Sequence, residues 1–444
     1  MKCRIVLCGF VAGWLALDAV AEWGAAGGAV APEEVVQAIL EHSYTLRGAR
    51  QETVARDARA RQAKAQGLPS LDVRAQASRY TGLEDSALGE VVIPAVETRY
   101  AASIGLAQPL FTGGRVSGGR RAARYEAAAA RKELRVAEAD AMIEALTAYW
   151  NWSKAHYLAE ALEVSVQRME THARDVATLC ESGLATESEK VAAEVLLDQT
   201  RLRLEEARNR VHLLKARIGF LAGRDLSGSA VPRRANAADA GTAVFVSPEE
   251  AIEARPEAAA RELEVKSSES AARAQRADFY PQLTAVARYE QAHPNPLDFP
   301  PAEEWNDDAF VGVTLSWSLL DWGLTRGRAA EASARAEQAR LRRDRVREWI
   351  ALQLREARIN FEDAASRLDV AARSARSAEL NLNVAKDLWG NGLARHADVL
   401  DALGKLTDAQ FAVTAAEADL VLARAELDYA TGALAGGEGD AGEP

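Results

Sequence analysis

Gln108-Pro-Leu-Phe-Thr-Gly-Gly-Arg115 and Trp317-Ser-Leu-Leu-Asp-Trp-Gly323 occupy corresponding places in two halves of this chain. Leu110 to Leu319, Gly183 to Gly392 and Gly223 to Gly432 each span 209 positions. Around the second pair, Glu181-Ser-Gly-Leu-Ala aligns with Gly390-Asn-Gly-Leu-Ala. Upstream, Leu68-Pro69-Ser70-Leu71 aligns with Tyr280-Pro281-Gln282-Leu283 at 212, so a short loop absorbs the difference. One offset held over so long a stretch marks a duplicated unit.

Working outward from those turns, each unit reads helix, strand, strand and two long helices. Val311, Val313, Leu315 and Trp317 alternate with Gly312, Thr314 and Ser316. Tyr100, Ala102, Ile104 and Leu106 alternate with Ala101, Ser103, Gly105 and Ala107. Leu71, Val73, Ala75 and Ala77, and Leu283, Ala285, Ala287 and Tyr289, give weaker partners. Period-two alternation predicts strands. Their length suits a tilted membrane strand as well as an ordinary two-sided sheet. The helices carry a seven-residue repeat: Leu354, Phe361, Leu368, Ala375, Leu382 and Trp389, beside Ile350, Ala357, Ala364, Ala371, Ala378 and Ala385. Beyond Gly392 the pattern resumes as Val399, Leu406, Val413, Leu420 and Leu427 beside Ala402, Ala409, Ala416, Ala423 and Ala430. In the first unit Leu197, Leu204, Val211 and Ile218 keep the register. A large residue at one seam position and alanine at the other lets antiparallel helices approach closely. Arg328 to Trp389 is 62 residues, about 93 Å of helix at ~1.5 Å per residue. Such a helix must project from any globular core.

The boundaries follow. Residues 1–21 are a signal peptide: Lys2 and Arg4, an apolar run Ile5–Leu17, and Ala19-Val20-Ala21 for cleavage. Residues 22–223 hold the first repeat, with strands at about 70–80 and 98–108 and helices at about 115–181 and 184–222. Residues 224–247 are a linker. Residues 248–432 hold the second repeat, with strands at about 281–290 and 309–318 and helices at about 325–390 and 393–431. Pro32-Glu33-Glu34 and Pro248-Glu249-Glu250 read as helix starts. Residues 433–444 are a disordered tail. His293-Pro-Asn-Pro and the acidic run Glu303, Glu304, Asp307 and Asp308 are expected in a loop between the last two strands.

The chain of 444 residues is 48% hydrophobic but only 6% aromatic, so its apolar content is aliphatic and suits long helices. Lys and Arg number 54 against 65 Asp and Glu, a net charge of −11, which argues against nucleic acid as a partner. Once the signal and its Cys3 and Cys8 are removed, Cys180 is the one remaining thiol, so no internal disulfide forms. Most of the apolar run follows Cys8, which argues against lipid attachment there. His42, His156, His172, His212 and His396 lack ligand spacing, and no catalytic or phosphate-cradling motif appears. No metal, cofactor or enzyme activity is expected. The fold class is thus mainly α with four strands per chain. Four strands cannot close a barrel and open edges cannot face lipid. Two copies would give a filled eight-stranded barrel, and three a twelve-stranded one with a lumen.

Asp398 and Asp401 share a helix face just past Gly392. Three copies place six carboxylates round one opening, a ring that attracts cations. The same residues also read as an exposed acidic turn favoured by a helix N-terminus. Gly183 and Gly392 stop long helices, which is a C-cap requirement.

With these turns and tips, above all Gly392-Leu-Ala-Arg-His-Ala-Asp-Val-Leu-Asp-Ala402, the mature chain resembles the TolC-type outer-membrane efflux family. The resemblance implies a homotrimer in outer-membrane lipid, with a twelve-stranded barrel and a periplasmic helical tunnel. It implies docking to a periplasmic adaptor and to an inner-membrane pump of RND or ABC type, in a tripartite efflux or type I secretion system. In the family the Asp-Val-Leu-Asp pair lines the periplasmic entrance, which transfers to Asp398 and Asp401. The tips Gly183-Leu184 and Gly392-Leu393 would meet the adaptor. Trp389 occupies the place of an aromatic in the entrance latch, and Glu189 that of its acidic partner. The latch arginine is Ala394 here, with Arg395 beside it, and one residue along a helix turns a side chain by about 100°. The competing reading is a non-conducting trimeric coiled-coil scaffold of the envelope, which has no need of membrane-length alternating strands.

Overall fold

The computed structural model describes residues 29–435 except 83–85, 89–90, 94–96, 227–228, 242 and 299–302. Residues 1–28, which include the expected signal peptide, and residues 436–444 therefore lie outside the described residues. In chain order the first repeat holds β1 (Ala29–Val30), α1 (Pro32–His42), α2 (Tyr44–Ala65), β2 (Ser70–Arg79), a small hairpin of β3 (Ser86–Leu88) and β4 (Val91–Ile93), β5 (Thr98–Phe111), α3 (Arg115–Glu181) and α4 (Glu187–Ala222). The second begins after β6 (Val231–Pro232) and holds α5 (Pro248–Ala254), α6 (Pro256–Gln275), β7 (Gln282–His293), β8 (Asn306–Ser316), α7 (Leu324–Gly390) and α8 (His396–Thr431). Both α3 and α7 have 67 residues, and both α4 and α8 have 36. The duplication thus extends to element length.

Some boundaries differ from expectation. α4 and α8 begin at Glu187 and His396, three residues later than 184 and 393, because a non-helical turn follows each tip glycine. His293 belongs to β7, and Asp307 and Asp308 to β8, rather than to the loop between them. The ladder continues through polar residues, pairing Glu290 with Asp308 and Gln291 with Asp307. Part of the linker is ordered: β6 pairs in parallel with β1, and a 3₁₀ turn at Ala237–Ala240 is closed by an Asn236/Asp239 capping box. Ala433–Ala435 forms another 3₁₀ turn, where a disordered tail was expected to begin.

The chain divides into two compact units. One comprises the chain up to Ser43, Asp140–Val244 and Ala357–Asp428. Its seam follows the seven-residue repeat. Val399, Ala402, Leu406, Ala409, Ala416, Leu420, Ala423 and Leu427 are all buried, as are Leu197, Leu204 and Ile218. Arg201 pairs with Glu170 at 2.8 Å and Arg208 with Glu163 at 2.9 Å, tying α4 to α3. Ser165 and Thr407 bond at 3.2 Å, and Lys154 meets Asp419 at 2.8 Å, tying α3 to α8. Leu382 and Ala385 of α7 share a core with Val399 and Ala402 of α8. The helix order is α4–α3–α8–α7, and the two outer helices carry exposed apolar rows: Val191, Val195, Leu202, Leu213 and Phe220 on α4, and Ile359, Val370, Leu380, Val384 and Leu388 on α7.

The other unit comprises Tyr44–Ala139, Phe245–Glu356 and the chain from Tyr429. Its four-stranded sheet has the order β2-β5-β7-β8, antiparallel throughout. The helices repeat that order. Arg131 pairs with Asp57 at 2.7 Å (α3 to α2), Ser267 Oγ donates to the Ala122 carbonyl at 3.0 Å (α6 to α3), and Arg340 pairs with Glu269 at 2.6 Å (α7 to α6). Both strand-to-helix turns use left-handed backbone. Gly113 and Gly114 have φ of 61° and 96°, and Trp322 and Gly323 have 55° and 90°.

Candidate functional site: an exposed sheet face and two hairpin tips

Alternate strand residues face opposite sides of a sheet, so the register decides whether four alternating strands agree. Here they do. Leu71 pairs with Leu106 and Val73 with Ile104; Ile104 pairs in turn with Tyr289, Ala287 with Val311, and Leu283 with Leu315. The result is one continuous apolar face. Leu71, Val73, Ile104, Leu106, Tyr289, Val311, Val313 and Leu315 are all exposed on it, Val311 at 83%. The other face is polar and charged. Arg99 meets Glu290 at 3.3 Å, Arg288 approaches the same carboxylate at 3.6 Å, and Arg74 meets Asp72 at 3.2 Å. An ordinary two-sided sheet covers its apolar side with a second layer; this one leaves it open. Among the described residues no helix is long and apolar enough to cross a membrane. Beside the sheet, α2, α3, α6 and α7 line a groove of about 610 Å³ with Gln62, Gln66, Glu126, Gln275, Arg328 and Arg335 among alanines.

The tips are built alike. Leu184 N–H donates to the Leu179 carbonyl at 2.8 Å and Gly183 N–H to that of Cys180 at 3.0 Å. Leu393 N–H donates to Leu388 at 2.8 Å and Gly392 N–H to Trp389 at 2.9 Å. Each is a Schellman motif, with the left-handed glycine (φ 74° and 71°) taking the conformation that L side chains avoid. Leu184 and Leu393, next to them, are 78% and 75% exposed.

The acids expected at the entrance are locally engaged. Asp398 Oδ2 accepts from the Arg395 N–H at 2.9 Å, and its carboxylate stands 3.6 Å from the Arg395 guanidinium. Asp401 accepts from Lys405 Nζ at 2.6 Å. Both acids are exposed on the first turns of α8, and each has a base beside it. Glu189 closes a capping box: Thr186 N–H and Oγ1 both donate to its Oε2 at 2.8 Å. Trp389 is half-buried against the core that includes Leu162, Leu382 and Val399.

A further contact went unread in the sequence. Cys180 Sγ donates to Glu187 Oε2 at 3.4 Å, across the first tip. Partial desolvation and this carboxylate push the thiol pKa up, while the thiol and Lys190 hold Glu187 below the usual carboxylate range. No spacing rule joins two residues across a turn. By contrast, Thr186-x-x-Glu189 is a capping-box signature and Asp401-x-x-x-Lys405 an i,i+4 pair, so both were there to be read.

The fold has close parallels among solved structures. CusC, described for its transmembrane channel formation, superposes with a TM-score of 0.79 at 16% identity, covering 90% of this chain and 92% of its own. The outer membrane protein VceC from Vibrio cholerae gives 0.78 at 18% identity, covering 90% and 96%. The open state of the Neisseria gonorrhoeae MtrE outer membrane channel gives 0.74 at 17%, covering 90% and 88%. A search of curated protein sequences finds no match. The family model described as outer membrane efflux protein matches residues 35–224 and again 247–433, once per repeat. The chain belongs to the outer membrane efflux protein family.

Proposed function

We propose that three copies of this chain close a twelve-stranded barrel in the outer membrane of a Gram-negative bacterium, continued by a periplasmic tunnel of helices, as a passive exit duct. The observation that carries the reading is the exposed apolar sheet face bounded by two unpaired edges, β2 and β8. Along the sheet, strand direction alternates, so β8 of one copy meets β2 of the next antiparallel, as closure of an even-numbered barrel requires. The helices support the same closure independently. Brought together antiparallel, Val191, Val195 and Phe220 on α4 of one copy fall level with Leu388, Val384 and Ile359 on α7 of the next. Those rows are exposed in the single chain.

Asp398 and Asp401 line the entrance, with Trp389, Glu189 and Arg395 nearby as its latch. The exposed Leu184 and Leu393 at the tips meet a periplasmic adaptor. An inner-membrane pump of RND or ABC type supplies the energy and chooses the cargo, in a tripartite efflux or type I secretion system. Planar-bilayer recording of the purified protein tests the duct. Channels with cation preference that an Asp398→Ala/Asp401→Ala variant loses are expected. A wild type that never conducts restores the scaffold reading.

A further inference from the structure

The groove of about 610 Å³ beside the sheet is lined by equivalent positions of the two repeats. Gly119, Ala122 and Glu126 on α3 correspond to Arg328, Glu331 and Arg335 on α7 at the offset of 209. Ala63 on α2 corresponds to Gln275 on α6 at 212. The same helix faces of both repeats therefore share one hollow. α2 and α7, the outer helices of the α2–α3–α6–α7 layer, both reach it, so the layer curls and the groove lies inside the curl. Three such layers closed into a tube put that side on the lumen, within about three helical turns of the strand ends.

Its floor is apolar and open. Ala122 and Ala123 are buried, and a Cβ on Gly119 would meet nothing within 4 Å. Neighbouring Gly118 has a packing reason to be glycine, because a Cβ there would lie 2.9 Å from Ala274 Cβ. Gly119 has none, although glycine inside a helix is less stable than alanine; what it leaves is room. The walls are rich in unused donors. Glu126 is taken by Arg56 at 3.1 Å and Arg59 at 3.4 Å, and Glu331 by Arg335. Arg328 reaches only Asp278, outside the lining, at 4.0 Å. The side-chain amides of Gln62, Gln66 and Gln275 make no hydrogen bond among the described residues. Along the lining, three guanidinium groups (Arg59, Arg328 and Arg335) thus stand over two carboxylates that are already engaged. An apolar body carrying one negative group complements such a site, and its volume is that of a pocket for a drug-sized molecule.

We propose that this groove is a cargo-binding site on the inner wall of the duct, selective for organic anions with an apolar body. The body lies on the Gly119–Ala123 floor, and the carboxylate or sulfonate meets Arg328. Each copy carries one such site. This rests on the duct reading above, and the test separates the two.

1-Naphthoate and its uncharged isostere 1-naphthamide are titrated calorimetrically into full-length trimers in phosphatidylethanolamine–phosphatidylglycerol nanodiscs, with the signal of empty nanodiscs subtracted. The expected result is saturable naphthoate binding, with naphthamide at least about tenfold weaker because it lacks the charge-assisted hydrogen bond. Arg328→Gln, which leaves the floor untouched, brings naphthoate down to the naphthamide affinity. Gly119→Leu, whose Cβ meets open space, abolishes binding of both probes in trimers that melt no lower than wild type. Equal affinities for the two probes, or a naphthoate affinity that Arg328→Gln leaves unchanged, overturn the anion assignment. Binding that survives Gly119→Leu lies elsewhere and overturns the groove. Phospholipid that co-purifies with wild type but not with Gly119→Leu, read by native mass spectrometry, makes the groove a lipid site and also overturns the proposal. The same trimers in planar bilayers keep the two readings apart. Conduction without naphthoate binding removes the site and leaves the duct; binding without conduction removes the duct and the cargo role with it.

Discussion

Glu189 shows how one side chain is claimed by two readings. Its carboxylate accepts from the backbone and hydroxyl of Thr186, and glutamine performs the same service in a capping box. Glu189→Gln is therefore expected to keep the tip folded while removing the charge. Comparing its closed-state conductance with wild type separates cap from latch: unchanged conductance assigns Glu189 to the cap, and leakier channels assign it to the latch as well. Thr186→Ala removes the cap itself and is expected to cost about 1 kcal/mol, read as faster amide exchange over the first turn of α4. Across the same tip, the Glu187 carboxylate helps to keep the Cys180 thiol protonated. Only the thiolate alkylates, so Glu187→Gln lowers the thiol pKa, and iodoacetamide labelling near pH 8 is expected to speed up. An unchanged rate would show that desolvation alone sets this thiol.

Among elements, the alanine seam is the feature most tightly coupled to sequence. Ala402 is 1% exposed and sits among Val399, Leu403 and Leu406 in a core shared by α3, α4, α7 and α8. Ala402→Leu forces extra methylenes into a closely packed seam and is expected to cost about 1–3 kcal/mol, measured as a lowered helix-melting midpoint by circular dichroism. The same change at Ala412, exposed on α8, should leave the midpoint near wild type. The heptad spacing placed these seam positions from the sequence because 3.5-residue periodicity directly reports which residues face a partner helix. It did not place helix ends. The three residues after each tip glycine are non-helical because the Schellman turn reverses the chain before a new cap can form.

For the whole molecule, the inverted sheet matters most. A charge in the apolar row meets hydrocarbon only if the barrel sits in a bilayer, where arginine near the midplane costs about 2–4 kcal/mol. Val313→Arg is expected to lower the yield of membrane-inserted trimers, followed by fractionation and native gels. The equivalent change at Thr314, on the opposite face, should insert normally. Equal yields for the two would contradict the assignment of faces. The sequence by itself determined the duplication, the four long strands, the four long helices and the seam, because offset and periodicity are properties of one dimension; it did not show that two helices rather than one precede each strand pair, or the β1–β6 and β3–β4 pairings. The tertiary structure decided what depends on register and proximity. Four modest alternations add up to one apolar face because cross-strand pairing aligns them. Asp398 and Asp401 stand next to Arg395 and Lys405, so their field is weaker than their formal charge suggests. Gly113 lies against the Ala277–Tyr280 turn, whereas Trp322, the corresponding residue of the second repeat, follows the edge strand β8 and is exposed in the single chain.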